Sequence, residues 1–473
     1  MVIAPKGKQE EVMALPAKGH TVVLGTAGSG KTTIAMLRAQ HLASIPNGGR
    51  VLLVTFNGAL VEYMRGISSS RSTKLVVESY HKFARGYLNS RGQMPCRDGI
   101  LGPKEKAYFI EQAVEILKTD YPTESTFMRP KEFFVDEITF IERFGFSNLD
   151  EYREAERIGR ASANIKRENR KWIYATYEKY IELREAAGRK YDWDDLAFYT
   201  FKALNADDSE RRYTHIIVDE GQDFSPMMIK SLVKAVADGG SFTFFGDVAQ
   251  QIYGSRLSWR DSGVDTNKIW RFDINYRNPA TITAFAKAIT ESEYWRKDGD
   301  MVEATHQIAE GPKPILVKFS NRQQEMAWVV KRAIATGNTS STVIVCRFRA
   351  DIDTLLSALK NEGCDAIEIN RDTPGFAHLK KVYITTYHSV KGLEFDNVFI
   401  PYLTVEKLPD PDTVANAVSE VDAYADEIKL LYVAATRSRY GLYMTYSGTL
   451  SPLFPEGSDS YDFHDMRDWY ECI

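Results

Sequence analysis

Gly25-Thr26-Ala27-Gly28-Ser29-Gly30-Lys31-Thr32 decides how the rest of this chain is read. Its spacing, G-x-x-x-x-G-K-T, is that of a phosphate-binding loop. Thr21-Val22-Val23-Leu24 before it is an apolar, β-branched run suited to a buried strand, and Ile34 to Leu42 after it reads as a helix. The chemistry needs this order. Glycines let the backbone curl so that successive N–H groups face a phosphate at the positive end of a helix. In such a loop Lys31 reaches the β- and γ-phosphates and the Thr32 hydroxyl sits on Mg²⁺. A chance Gly-rich turn would lack the two flanking elements, so the stretch reads as a nucleotide site.

Outward from the loop, residues 1–20 read as a lead-in helix carrying Gln9, which taken alone is a surface residue. Val51–Asn57 and Leu75–His81 read as further strands, with a helix from Ala59 between them. Strands alternating with helices predict a parallel α/β sheet. From about residue 90 to 190 the pattern turns helical. Ile173, Tyr177, Tyr180 and Ile181 recur at helical spacing, as a core stripe does. Lys166-Arg167-Glu168-Asn169-Arg170-Lys171 reads as a solvated face, with a phosphate-tracking edge as the alternative. Sheet grammar returns at His215-Ile216-Ile217-Val218-Asp219-Glu220. Two acids at a strand's end suit a metal-bound nucleotide, Asp219 holding Mg²⁺ through water and Glu220 activating the attacking water. Phe242–Asp247 is the next strand.

A second sheet is expected from about Lys313, with strands at Ile315–Phe319, Thr342–Cys346, Lys381–Thr386 and Val398–Pro401. It lacks a phosphate loop. It does echo the first sheet, since Ser79-Tyr80-His81 and Thr386-Tyr387-His388 both end a strand with hydroxyl, Tyr, His. Two such triplets suggest a duplicated α/β unit with equivalent polar edges facing one ligand.

Composition bounds the rest. The 473 residues leave room for about two to four domains. Net charge is −4 and pI about 6.1, so a nucleic-acid site has to be a local patch. Four scattered cysteines without C-x-x-C spacing argue against a zinc site, an iron–sulfur cluster or a disulfide framework. With no apolar run of membrane-spanning length and no signal-peptide pattern, a cytoplasmic enzyme is expected.

With these residues assembled, the chain resembles the UvrD/Rep family of superfamily 1A DNA helicases along nearly its whole length. Gln9 matches the family's adenine-reading glutamine. Thr55-Phe56-Asn57 and Ser79-Tyr80-His81 are similar to its first DNA-contacting motifs, and Asp192-Trp193-Asp194-Asp195-Leu196 to its short acidic segment. Asp219-Glu220-Gly221-Gln222-Asp223 is similar to DExQD, Gly246-Asp247-Val248-Ala249-Gln250-Gln251-Ile252-Tyr253 to GDxxQxIY, and Asn275-Tyr276-Arg277 to NYR. Thr386–Phe395 is similar to THSxKGLEF, and Leu431–Arg437 to YVAxTR.

The resemblance implies two RecA-like domains with a helical insertion, fed by ATP and Mg²⁺. The first domain, 1A, would comprise 1–85 and 191–274, the insertion 1B 86–190, and the second domain, 2A, 275–473. It implies Gly25, Thr26, Ala27, Gly28, Ser29, Gly30, Lys31, Thr32 and Thr33 around the phosphates, Tyr276 stacked on adenine, and Glu394 on the ribose hydroxyl. Gln250 would sense the γ-phosphate, with Arg277 and Arg437 as arginine fingers across the cleft. Phe56, His81, Tyr253, Arg256 and His388 would grip single-stranded DNA, and travel would run 3′ to 5′.

The chain also departs from the pattern. Ser255 stands where the family has a stacking Trp, with Trp259 nearby either as a substitute or as a core residue. Thr33 stands where Arg is usual. The short stretch from Cys346 to Lys381, with one helix around Ile352–Leu359 and a turn at Asn370–Pro374, leaves the family's 2B subdomain absent or vestigial. A tail with Glu456, Asp459, Asp462, Asp465, Asp468 and Glu471 at every third position reads as a docked or fraying surface segment, with a protein-docking tail as the alternative. Three functions follow: a 3′–5′ helicase, a translocase stripping proteins or feeding a partner such as a nuclease or repair factor, and a nucleotide-switched subunit.

Overall fold

The computed structural model describes residues 5–67, 72–94, 99–155, 165–247, 259, 262–266, 268–295, 306–369, 380–417, 419–457 and 459–467. Two parallel sheets carry it. In the first, six strands lie in the order Leu75–Ser79, Val51–Thr55, Tyr213–Val218, Val236–Gly246, Gly19–Gly25, Ile269–Phe272. Val51 to Thr55 are all buried, as expected of a parallel strand covered by helices on both faces. The helix Lys31–Ser44 leaves the loop and packs Ile34, Ala35, Ala39 and Leu42 under the sheet.

In the second sheet seven strands run Ile367–Glu368, Val382–Thr386, Thr342–Cys346, Phe395–Ile400, Ser438–Ser447, Ile315–Phe319, Asp462–Asp465. The last of these is the acidic tail, docked as a parallel edge strand on Ile315–Phe319 with all four side chains exposed. Asp468 and Glu471 lie outside the described residues.

The helical block between the two halves of the first sheet has its own core, built on the helices Pro103–Asp120, Lys131–Phe144 and Arg170–Ala186. Ile173 and Tyr180 are fully buried there and Tyr177 and Ile181 pack against them, so the aromatic stripe is core.

Several expected elements come out differently. The lead-in helix is only Lys8–Met13, because Pro16 forces the residue before it out of helical geometry, and Gly19 and His20 already belong to the strand. The Val51 strand stops at Thr55. The next stops at Ser79, with Tyr80 and His81 opening the helix Tyr80–Ser90. In the expected solvated run, Arg170 is buried and donates to the carbonyls of Tyr152, Arg153 and Ala155 at 2.7–2.9 Å. The helix expected around Ile352–Leu359 spans Arg349–Asn361, and the Asn370–Pro374 turn lies outside the described residues.

Candidate nucleotide and strand-binding site

The phosphate loop leaves the C-terminal end of a central strand. Gly28 and Gly30 adopt left-handed φ values of 74° and 82°, which only glycine takes without strain. Gly28 has a second constraint. A Cβ there would lie 2.1 Å from the Asn275 side-chain oxygen. Ser29 Oγ donates to Thr26 O at 2.8 Å, closing the turn. Lys31 Nζ folds back onto the carbonyls of Gly25 and Thr26, both at 2.8 Å, and reaches Asp247 at 3.4 Å. Thr33 is exposed on the first turn of the helix.

Gln9 corrects its reading as a surface residue, being only 7% exposed. Its amide nitrogen donates to Ser29 O at 2.9 Å and its oxygen accepts from Lys6 N at 3.2 Å. The carboxamide is thus committed to backbone, and reading a base requires it to release a partner. The buried Arg38 is part of the same support, donating to the carbonyls of Val12, Met13, Leu15 and Pro16 at 3.0–3.3 Å. Nothing in the local sequence marks it, because the carbonyls it satisfies are brought to it by the turn after the first helix.

Asp219 and Glu220 follow the strand Tyr213–Val218. Asp219 is buried with no hydrogen bond to either carboxylate oxygen. Burial and the neighbouring Glu220 push its carboxyl up to about 7; the Thr32 hydroxyl lies close enough to hold it down in part, yet satisfies neither oxygen. Glu220 has a left-handed φ of 52°, an uncommon state for a non-glycine residue and one that clusters at functional sites. Burial raises its carboxyl, but Lys391, Lys31 and Arg437 outweigh that and hold it ionised. Gln222 donates to Glu220 and accepts Asp247 N at 2.8 Å, tying two strand ends together.

The second half approaches this floor from above. Lys391 Nζ reaches Asp223 Oδ1 at 2.5 Å with both side chains buried, and Asn57 Nδ2 donates to Lys391 O at 2.9 Å. Arg277 pairs with Glu394, so the expected ribose acceptor is held by an expected arginine finger. Arg437 is 1% exposed, with Nε on Val433 O at 2.9 Å. Burial and Arg277 draw its guanidinium down to about 10, while Glu220, Glu394 and Asp247 act in the opposite sense. Tyr276 is partly exposed and donates its N–H to Gly28 O at 3.0 Å. Gln250, Tyr253, Ser255 and Arg256 lie outside the described residues.

Along the same edge of the first sheet, Phe56 and His81 meet edge to face at 5.4 Å. His81 in turn meets Trp193 at 5.3 Å. Trp193, which the sequence offers only as part of an acidic segment, is partly exposed and extends this row of rings. Trp259 packs at 4.7 Å on Phe244, as a core ring does. On the second sheet His388 keeps an exposed edge over a crowded base, where burial and Arg347 lower its pKa.

The acids flanking Trp193 are tied up in ion pairs, Asp192 fully buried and Asp194 partly so. Lys106 Nζ contacts Glu142, Asp192 at 3.3 Å and Asp194 at 2.9 Å, occupying the centre where those three acids could hold a metal ion. Arg184 binds Asp192 and Asp195. The helical block is therefore wired to the Trp193 turn through buried charge.

A phosphate loop and paired acids on one parallel sheet, faced by Arg277 on a short two-stranded ribbon and by Arg437 at the edge of a second sheet, define a P-loop nucleotide-binding protein built of two RecA-like halves. The profile of the UvrD/REP helicase N-terminal domain matches residues 6–267, and that of the UvrD-like helicase C-terminal domain matches 365–449. The chain belongs to the UvrD/REP helicase family. Its relatives include a Mycoplasma pneumoniae protein described as "Probable DNA helicase", 23% identical over 92% of this chain and 82% of the relative. Mycobacterium tuberculosis "ATP-dependent DNA helicase UvrD2" is 23% identical over 76% of this chain and 55% of its own length. Haemophilus influenzae "DNA helicase II" is 24% identical over 58% and 38%. The chain thus spans about half or less of the length of the last two. No helix among the described residues is long and apolar enough to cross a membrane.

Proposed function

We propose that this chain is an ATP-dependent motor that moves 3′ to 5′ on single-stranded DNA and separates duplex ahead of it. The observation that carries the reading is the cleft in which Glu220, beside Lys31 and Asp219, is held by Lys391 and Arg437 from the other half, with Arg277 lying against Gly28 of the phosphate loop. Lys31 would exchange its two carbonyl partners for the β/γ-phosphates, and the arginines would stabilise charge on the transferring phosphoryl group only when the halves close. Glu220, held ionised by three cations, would orient and deprotonate the attacking water.

Thr32 and Asp219 fit a divalent cation, since Asp219 offers two buried oxygens with no other partner. Bound there, Mg²⁺ would neutralise charge on the nucleotide phosphates. Domain 1A (1–85 and 191–274), insertion 1B (86–190) and domain 2A (275–473) would form the motor, with 2B absent or vestigial near 350–380. Phe56, His81, Trp193 and His388 would stack or line the strand without reading its sequence.

A second reading, a translocase that strips proteins or feeds a partner nuclease, draws on Ser255 in place of the stacking Trp and on Trp259 being engaged in the core. ATP turnover measured alone, with single-stranded DNA and with RNA, beside Lys31→Ala, tests the motor. Stimulation by DNA that is lost in the variant supports it, and turnover indifferent to either polymer would point instead to a nucleotide-switched subunit. Unwinding of a 3′-tailed duplex then separates helicase from translocase.

A further inference from the structure

The turn after Tyr276-Arg277 holds a residue that the sequence motifs leave without a role. Asn278 is 1% exposed, and its whole carboxamide is spoken for. Its nitrogen donates to Thr436 O at 2.9 Å and to Ser438 O at 2.6 Å, the carbonyls on either side of Arg437. Its oxygen accepts from Asn275 Nδ2 at 3.1 Å, and its own N–H donates to Asn275 Oδ1 at 2.9 Å.

The position of Arg437 explains why such a grip is needed. It is the single residue between Thr436, the C-cap of the helix Glu420–Ala435, and the strand Ser438–Ser447. Carbonyls at a helix end have no intrahelical partner and leave the chain free to fray. Here three consecutive carbonyls are all taken from outside, Arg437 O by Phe395 N at 3.1 Å and its two neighbours by Asn278. The other end of the link touches the phosphate loop. Asn275 Oδ1 lies against Gly28, and Tyr276 N donates to Gly28 O.

We propose that Asn278 is a positioning residue for hydrolysis, fixing the backbone of Arg437 and referring it, through Asn275, to the phosphate loop of the opposite half. This rests on the reading of Arg437 as an arginine finger. An aliphatic residue at 278 would leave two buried carbonyls unpaired and the finger's backbone loose; it would withdraw Asn278 Oδ1 from beside Gly28, while the carbonyl contacts of Lys31 and the Tyr276 N–H bond to Gly28 O stay in place. The defect therefore falls on the transition state and spares nucleotide binding.

The test is a double-mutant cycle on the full chain, with single-turnover ATP hydrolysis resolving slow rates, saturating single-stranded DNA present, and affinity for a non-hydrolysable ATP analogue measured in parallel. Asn278→Ala is expected to slow hydrolysis about tenfold, with the analogue's affinity held within about twofold. In an Arg437→Ala background the same substitution is expected to change the rate less than about twofold, because the finger it serves is gone. Should Asn278→Ala fail to fold, Asn278→Asp keeps the shape and removes both donors. A wild-type rate in the Asn278 variant, or an equal fold loss in both backgrounds, overturns the proposal alone. A wild-type rate in Arg437→Ala overturns the finger reading and this proposal with it.

Discussion

Asp219 sits on the floor of the cleft with both oxygens buried and the Thr32 hydroxyl and Glu220 backbone nearby to hold its charge, and that burial has a pH signature. Its carboxyl is raised to about 7, against about 3.9 in an unfolded chain. A carboxyl with a raised folded value favours the folded state below the unfolded pKa and loses that contribution as pH rises through the folded one. Asp219→Asn is therefore expected to melt a few degrees above wild type at pH 8 in metal- and nucleotide-free protein, while ATP hydrolysis is abolished. The gap should narrow as pH is lowered toward 4, and a gap independent of pH would count against a buried carboxyl. At this scale the sequence was most legible where chemistry demands a spacing, as in Gly25–Thr32. It misled at Gln9, because a lone polar residue on a short amphipathic helix shows no sign of the loop backbone that later buries it.

Elements were legible wherever both faces of a strand are covered, since Val51–Thr55 and Thr342–Cys346 then read as unbroken apolar runs. Their ends were not, because Tyr80 belongs to a helix for reasons of packing: its ring is buried and its hydroxyl bonds Ser231 at 2.7 Å. The link between the helical block and the Trp193 turn was equally hidden, being made of charges far apart in sequence. Lys106→Met leaves the buried Glu142 without its ion-pair partner, while Asp192 keeps Arg184 and Asp194 keeps Arg143, and is expected to destabilise the protein by about 3–5 kcal/mol, since a broken buried pair leaves uncompensated charge. A denaturant titration that shows no loss would mean the acids shed their charge by taking up protons instead. Trp193→Ala tests the exposed row of rings. Loss of one stacked base is worth about 1–3 kcal/mol, so affinity for single-stranded DNA should fall roughly 5- to 150-fold while ATP-analogue binding holds. Unchanged DNA affinity would remove Trp193 from the strand path.

Across the molecule, the two sheets were predictable from their repeated strand–helix grammar, whereas the contacts that join them were not. Lys391 and Asp223 are each ordinary members of their motifs and become a pair only when the halves face one another. Asp223→Asn leaves Lys391 buried with a weaker partner, and the nucleotide-free protein is expected to open. Small-angle scattering should then report a larger radius of gyration than in wild type, and an identical radius would show that the bridge is not what keeps the cleft closed. The acidic tail, by contrast, shows no strand pattern beyond alternating aromatics, and Asp462–Asp465 is a strand because Ile315–Phe319 offers it an edge.

The order of strands in the first sheet also matters before the protein is complete. Gly19–Gly25 pairs only with Val236–Gly246 and Ile269–Phe272, so it finds no neighbour until everything from Thr26 to Ala235 has been synthesised. At about 5–20 residues per second the nascent chain carries this apolar strand unpaired for roughly 10–40 s. The helical block has its own core and can fold on the ribosome in that interval, while the strand that leads into the phosphate loop waits for its neighbours to be made.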